Sequence, residues 1–348
     1  MVVYSTKMKN ILLFCYGNPV EYRRAVYSAL SFLAWTGARQ DTTRLVIYTD
    51  DPDFFKRYFA GFSIHYMLLT PQRLEEMLDG TGFIHRRKIC ILQDAYAAFP
   101  GDDIFYVDSD TFFTADPSAL LDQVQPGTSI MQMREYALER APKLYRDLMS
   151  FRFANAEQYP QSFLSFIDQH EFAIGGKSLK FNKEQYVWNA GVLGIHNSLL
   201  PLLDDILSFS DQIFLATKWF ISEQLAFGLV LQSFSELKPA GNVINHYFQC
   251  KEVTDILISK ALNEAFIKLT PAEKFVKIKA STKVIDDLSK LDLYVSISGG
   301  AFKRSQYKKG LRFVFRAFKT IPIYPLTLVY LKSKVAIQTQ KKHKPRPA

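Results

Sequence analysis

IFYVDSDTFF, residues 104–113, runs an apolar strand into two aspartates spaced i, i+2 and then resumes with two phenylalanines. On a strand, residues i and i+2 point to the same side, so Asp108 and Asp110 converge just past the end of IFYVD. Two ionised carboxylates at that spacing repel, and burying both without a partner is costly. A divalent cation between them relieves the repulsion, and hard oxygen ligands suit Mg²⁺ or Mn²⁺. Such an ion keeps positions open for substrate phosphates and neutralises a leaving diphosphate. The plain alternative is a solvated strand end that begins a turn. The hydrophobic strand before the pair and Thr111-Phe112-Phe113 after it favour the metal.

Outward from this segment, further apolar runs read as strands: ILLFCY (11–16), RLVIYTD (44–50), SIHYMLL (63–69), SIMQM (129–133) and VWNAGVLGIH (187–196). Segments of helical spacing separate them. Ala25, Leu30, Leu33 and Ala34 make one face, and Ile91, Leu92, Ala95, Tyr96 and Phe99 make another. A long helix is expected over about 219–234, with Ser222 as its N-cap. Residues 140–186 read as helices with a loop around AIGGKSLKFN. Strands apolar on both faces that alternate with helices predict an α/β layer fold with a mostly parallel sheet. Ligands in such sheets sit at the carboxyl ends of the strands. Tyr16-Gly17-Asn18 and Thr49-Asp50-Asp51 end the first two strands, which makes Tyr16 and Asp50 candidates for a nucleotide cradle, with a plain loop acid as the alternative for Asp50. The chain has no G-x-x-x-x-G-K-[ST] loop, so phosphate binding would rest on a metal and side chains.

FYVDSDTFF resembles the D-x-D motif of nucleotide-sugar-dependent glycosyltransferases with the GT-A fold. WNAGVLGIHNS (188–198) resembles the N-A-G strand segment of glycosyltransferase family eight and its relatives. SEQLAFGL (222–229) falls where those enzymes carry an acidic-Gln pair opening a helix, and NHYFQCKE (245–252) where they place a late histidine. The resemblance spans roughly residues 9–252. It implies a GT-A catalytic domain over 1–260, with a helical segment packed on it over 261–300. It also implies Asp108, Asp110 and His246 as metal ligands, with Asp108 and Ser109 at the nucleotide and Lys251 at the diphosphate. The chain departs from the family-eight pattern after the histidine, where Gln249-Cys250-Lys251-Glu252 stand in place of a glycine and a Lys-Pro-Trp ending. Arg86 or Lys88, on the helix before the D-x-D strand, would give the donor a cation. Asn189, Glu223 and Gln224 would contact the sugar, with Glu223 alternatively a general base for an inverting transfer, and small Ala190 and Gly191 would let the sugar approach the backbone. The implied partners are a UDP-sugar donor and a glycan or lipid-linked acceptor, with retention of configuration.

Two other readings use parts of the same sequence. A haloacid-dehalogenase-type phosphatase also places D-x-D after a strand, but wants a threonine where Phe112 stands and a position near the N-terminus. A sugar nucleotidyltransferase needs a glycine-rich N-terminal loop that this chain lacks. A catalytically dead peripheral adaptor is the non-enzyme alternative.

The net charge of +9 is unevenly placed. Residues 301–348 hold thirteen Lys or Arg and no Asp or Glu, leaving 30 basic against 34 acidic residues in the rest. Leu311, Phe313, Phe315 and Phe318 interleave with Arg312, Arg316 and Lys319, while Ile321–Leu331 is apolar but broken by Pro322 and Pro325. That composition suits an anionic membrane surface. The alternative is a helix packed on the catalytic domain. Nucleic acid is not expected, because the first 300 residues are net acidic and carry no recognisable nucleic-acid module. The run Ile11–Tyr16 is short of the ~7–15 residues of a signal-peptide core, and no run reaches the ~18 of a membrane span. Cys15, Cys90 and Cys250 are few, odd in number and widely spaced, as suits a reducing compartment. A cytoplasmic protein, peripheral at the inner face of a membrane, is expected.

Overall fold

A computed structural model describes residues 8–36, 41–149 and 154–320. The apolar run 321–331 and the basic end beyond it lie outside the described residues. The first half alternates strands and helices: β1 (Lys9–Phe14), α1 (Pro19–Thr36), β2 (Thr43–Thr49), α2 (Pro52–Lys56), β3 (His65–Leu68), α3 (Pro71–Glu76), α4 (Arg86–Ala98) and β4 (Asp103–Val107). After β4 come β5 (Thr111–Phe113), α5 (Ser118–Leu121), β6 (Thr128–Ala137), α6 (Ala141–Met149) and α7 (Gln158–Gln169). A short hairpin, β7 (Phe172–Ile174) and β8 (Lys177–Leu179), precedes β9 (Tyr186–Ile195), α8 (Leu203–Thr217) and α9 (Ser222–Phe234). The chain then runs through β10 (Glu236–Pro239), β11 (Ile244–His246), α10 (Lys251–Ala261), α11 (Glu264–Ile267), α12 (Pro271–Lys303) and α13 (Tyr307–Thr320).

Seven strands form the central sheet in the order β10-β6-β9-β4-β1-β2-β3. All neighbours are parallel except β9, which runs against both β4 and β6. This is the mostly parallel, helix-flanked α/β layer that the apolar runs predict. Alternate residues explain it. Ile11, Leu13, Phe105 and Val107 join the core beneath α1, whereas Leu12, Ile104 and Tyr106 join the core on the other face with Ile89, Ile91 and Leu92 of α4. A strand buried on both faces reads as an unbroken apolar run.

The reversed strand has a functional consequence. Because β9 opposes β4, with Val107 paired to Val192, the first half of β9 lies at the carboxyl end of β4. Asn189, Ala190 and Gly191 therefore stand beside Asp108, whose N–H donates to the Gly191 carbonyl at 2.9 Å.

Three local expectations are corrected. The segment around Gly175-Gly176 is a β-hairpin, not a loop; both glycines have positive φ (58° and 72°), as a two-residue hairpin turn demands. The helix expected from 219 starts at Ser222, which lies inside it and does not cap it; the Ser222 hydroxyl donates to the Trp219 carbonyl. Downstream, Thr270 and Glu273 form a capping box with Pro271 at the first turn, starting the long α12, which packs on α1 and α10. Helix α13 then folds back on α12. Gly310 permits the approach, since a Cβ there would lie 2.6 Å from the Phe302 ring.

Candidate active site

Phe112 and Phe113 are fully buried, each meeting α1 edge-on, at Tyr27 and Phe32 respectively. Burying each aromatic contributes on the order of 2–3 kcal/mol. They pin β5, and the Ser31 hydroxyl fixes it further by accepting from the Phe113 N–H at 2.8 Å. β5 pairs antiparallel with β11, His246 opposite Thr111, and the Tyr247 N–H donates to the Asp110 carbonyl. This two-stranded sheet closes the gap of 136 residues between Asp110 and His246.

The imidazole reaches both aspartates: His246 Nε2 is 3.4 Å from Asp110 Oδ1 and 3.9 Å from Asp108 Oδ2. One ligand atom from each of the three residues lies within 4.8 Å of the others. With ~2.1 Å bonds, adjacent ligands of an octahedral ion are ~3 Å apart and opposite ones ~4.2 Å, so this donor set fits a small divalent cation. Asn189 prepares the histidine. Its Oδ1 accepts from the Gly191 N–H at 2.9 Å and lies 3.1 Å from His246 Nδ1. That oxygen is thereby an acceptor and holds a proton on Nδ1, which leaves Nε2 as the ring nitrogen that faces the two aspartates and would bind a metal. A Cβ on Gly191 would lie 2.3 Å from the His246 ring. The room above this glycine is thus filled by the histidine, a correction to the expectation that a sugar approaches there.

Two lysines neutralise the aspartates. Lys251 Nζ pairs with Asp110 Oδ2 at 2.7 Å. Lys88, buried on α4, reaches Asp108 at 3.1 Å, Glu223 Oε1 at 3.2 Å and the Ala190 carbonyl at 3.2 Å. Burial alone would make the Lys88 ammonium easier to deprotonate, but the charges of Asp108 and Glu223 outweigh it and hold its pKa above the usual lysine value. Burial also works against ionised Asp110, yet His246 and then Lys251 outweigh it and keep this carboxyl well below the usual range. The Tyr106 hydroxyl donates to Asp108 Oδ1 at 2.7 Å.

A second ring of charges orients the D-x-D loop. The Ser109 hydroxyl donates to Glu21 Oε2 at 2.8 Å, and Arg24 bonds the other Glu21 oxygen. Arg24 also forks onto Asp255 of α10 at 2.7 and 2.6 Å. Since α10 begins at Lys251, the helix that supplies this lysine is keyed to the loop that carries both aspartates.

These groups floor a cleft of about 630 Å³, which Tyr16, Lys88, Asp108, Ser109, Asp110, Asn189, Glu223, Gln224, His246 and Lys251 all line. Arg86 and Asp50 are not in that lining. Arg86 and Lys88 are two residues, or about 200°, apart on a helix; Arg86 therefore turns to Asp211, Asp79 and the Met77 carbonyl. Asp50 accepts from the Gly17 N–H at 3.0 Å and the Tyr22 hydroxyl at 2.7 Å, bracing the turn after β1.

Glu135 is a residue the sequence reading missed. It lines the cleft and accepts from Asn189 Nδ2 at 3.4 Å and Gln224 Nε2 at 3.2 Å. Burial raises its pKa against the opposing effect of those two amides. The signal was present: SIMQMREY, like IFYVD, is an apolar strand that runs into a carboxylate.

No protein-family model matches the sequence, and no curated protein matches it. In fold, the chain is similar to mouse xyloside xylosyltransferase 1 in its apo form, with 13% identity, 66% of this chain and 84% of that one covered, and a TM-score of 0.43. It is similar to the galactosyltransferase LgtC in complex with donor and acceptor sugar analogues, with 14% identity, 78% and 95% covered, and a TM-score of 0.44. It is similar also to the glycosyltransferase GlyE of Streptococcus pneumoniae, with 12% identity, 80% and 64% covered, and a TM-score of 0.42. These are likenesses of fold alone.

Proposed function

We propose that this chain is a metal-dependent glycosyltransferase that moves a sugar from a nucleoside diphosphate sugar, in particular a UDP-sugar, to a glycan or lipid-linked acceptor. The carrying observation is the convergence of Asp108, Asp110 and His246 at the end of a central strand, on the floor of a cleft of nucleotide-sugar size. The cation, Mn²⁺ or Mg²⁺, would neutralise the diphosphate as it leaves. Lys251, whose side chain is 40% exposed, can turn from Asp110 to the phosphates once a cation takes over that carboxylate. Ser109 and Tyr16 would meet the nucleotide, and Asn189, Glu223 and Gln224 the sugar; all five line the cleft. Glu223 Oε1 is already engaged by buried Lys88 at 3.2 Å, which favours retention, with the leaving phosphate oxygen taking the acceptor's proton.

The same reading places the protein at an anionic membrane surface through α13. Tyr307, Leu311, Phe315 and Phe318 are 51–67% exposed and share one face at spacings of four, four and three. Lys308, Arg312 and Lys319 flank that face, and each basic residue contributes about 1 kcal/mol near anionic headgroups. No helix among the described residues is long and apolar enough to cross a membrane.

UDP-sugar hydrolysis and transfer with MnCl₂ test the central proposal. Wild-type protein turns over the donor only with the metal, and Asp110→Asn loses at least ~100-fold of that rate. Metal-dependent turnover that survives Asp110→Asn would contradict it.

A further inference from the structure

The polar floor of the cleft accounts for a metal, a diphosphate and a sugar, but one wall has no part in that chemistry. Leu144, Leu148 and Met149 of α6 line the cleft with Tyr145, and positions 144, 145, 148 and 149 share one helical face. Phe220 and Ile221, just before α9, line the cleft as well, and so does Ile84, just before α4. Leu148 and Ile84 are 37% and 55% exposed. Contiguous apolar surface of this kind, opening off a charged floor, marks a ligand contact.

The chemistry of the wall selects the ligand. Sugar hydroxyls need donors and acceptors, and a pyranose face needs a flat aromatic plate. Phe220 apart, the wall's accessible side chains are leucine, isoleucine and methionine, which provide neither and match an alkyl chain. Tyr145 is buried, its ring edge-on to Trp219 at 5.2 Å. We infer that the wall made by α6 and residues 220–221 is a subsite for an apolar aglycone, so that the acceptor is a sugar carried on an alkyl chain. The inference rests on the transferase reading for the word acceptor; the subsite itself does not. A sugar beside Gln224 and Asn189 would leave its chain lying along Leu144 and Leu148 toward solvent.

The test is calorimetry of the full chain with n-octyl β-galactoside and n-octyl β-glucoside, each below its micelle concentration, against the methyl glycosides. Titrations run with and without MnCl₂ and UDP. The octyl glycosides bind at least roughly tenfold more tightly than the methyl ones, since each buried methylene contributes severalfold. Leu148→Ser, at an exposed position that puts folding at little risk, reduces that preference, and the Leu144→Ser/Leu148→Ser pair removes it. Equal binding of octyl and methyl glycosides overturns the inference, as does a preference that survives the double variant. Loss of the preference in Phe315→Ser/Phe318→Ser also overturns it, by assigning the chain to α13. Failure of UDP to bind with Mn²⁺ counts against the transferase reading, while the octyl preference in the titrations without UDP decides the subsite separately.

Discussion

The floor of the cleft and the face of α13 handle charge in opposite ways. On the floor, Asp108, Asp110, Glu223, Lys88, Lys251 and His246 hold one another within 4 Å, and all but Lys251 are substantially buried. On α13, the basic residues stand beside four exposed apolar side chains, with no acidic residue anywhere in 301–348. A buried charge cluster is geometry held for a small ligand, because each member is costly unless its partners stay in place. An exposed apolar and basic stripe has no such internal partner and fits an extended surface. The first region should thus fail sharply when one member is changed, and the second gradually and without loss of fold.

The sharpest break is expected from Lys88→Met. It leaves Asp108 and Glu223 buried without their shared cation, and it should lower stability by ~3–5 kcal/mol, read as a fall in the urea midpoint. A wild-type midpoint in that variant would mean the floor is less tightly coupled than the distances imply. Next in size is Gly191→Ala. Its methyl displaces the His246 ring, and Mn²⁺ affinity should fall about 10–100-fold, comparable to losing an outer-shell partner. The folded core around β9 should persist, so circular dichroism checks that the loss is local. The smallest effect on the molecule is Phe315→Ser/Phe318→Ser. Stability should change by no more than about 0.5 kcal/mol, as for other exposed sites, while partitioning to vesicles rich in phosphatidylglycerol drops. Unchanged partitioning would remove α13 from the membrane proposal and leave the floor untouched.

The same contrast explains how much was legible in the sequence. The strands were readable because burial on both faces writes an unbroken apolar run, and IFYVDSDTFF was readable because it ends such a run in paired charge. Strand direction was not: VWNAGVLGIH looks the same either way, and only its pairing with β4 and β6 reverses it. Arg86 and Lys88 were inseparable as residue types, and helix geometry sends one to α8 and the other to the floor. Gly191 was readable as a close approach, but not that a side chain 55 residues later fills the space. Gly175-Gly176 carried a hairpin signal in plain view, masked by weak strands of three residues on either side. Glu135 went unseen because a single carboxylate after a strand has no repulsion to explain, and its meaning appears only when Asn189 and Gln224 close on it.

The central claim is that Asp108, Asp110 and His246 jointly hold a divalent cation for a nucleoside diphosphate. Mn²⁺ binding followed by electron paramagnetic resonance, with and without UDP, tests it without reference to any acceptor. Wild-type protein should take up one Mn²⁺ more tightly when UDP is present, and His246→Ala and Asp110→Asn should each weaken that uptake by at least ~100-fold while remaining folded. Equal Mn²⁺ uptake by wild type and both variants would contradict the account.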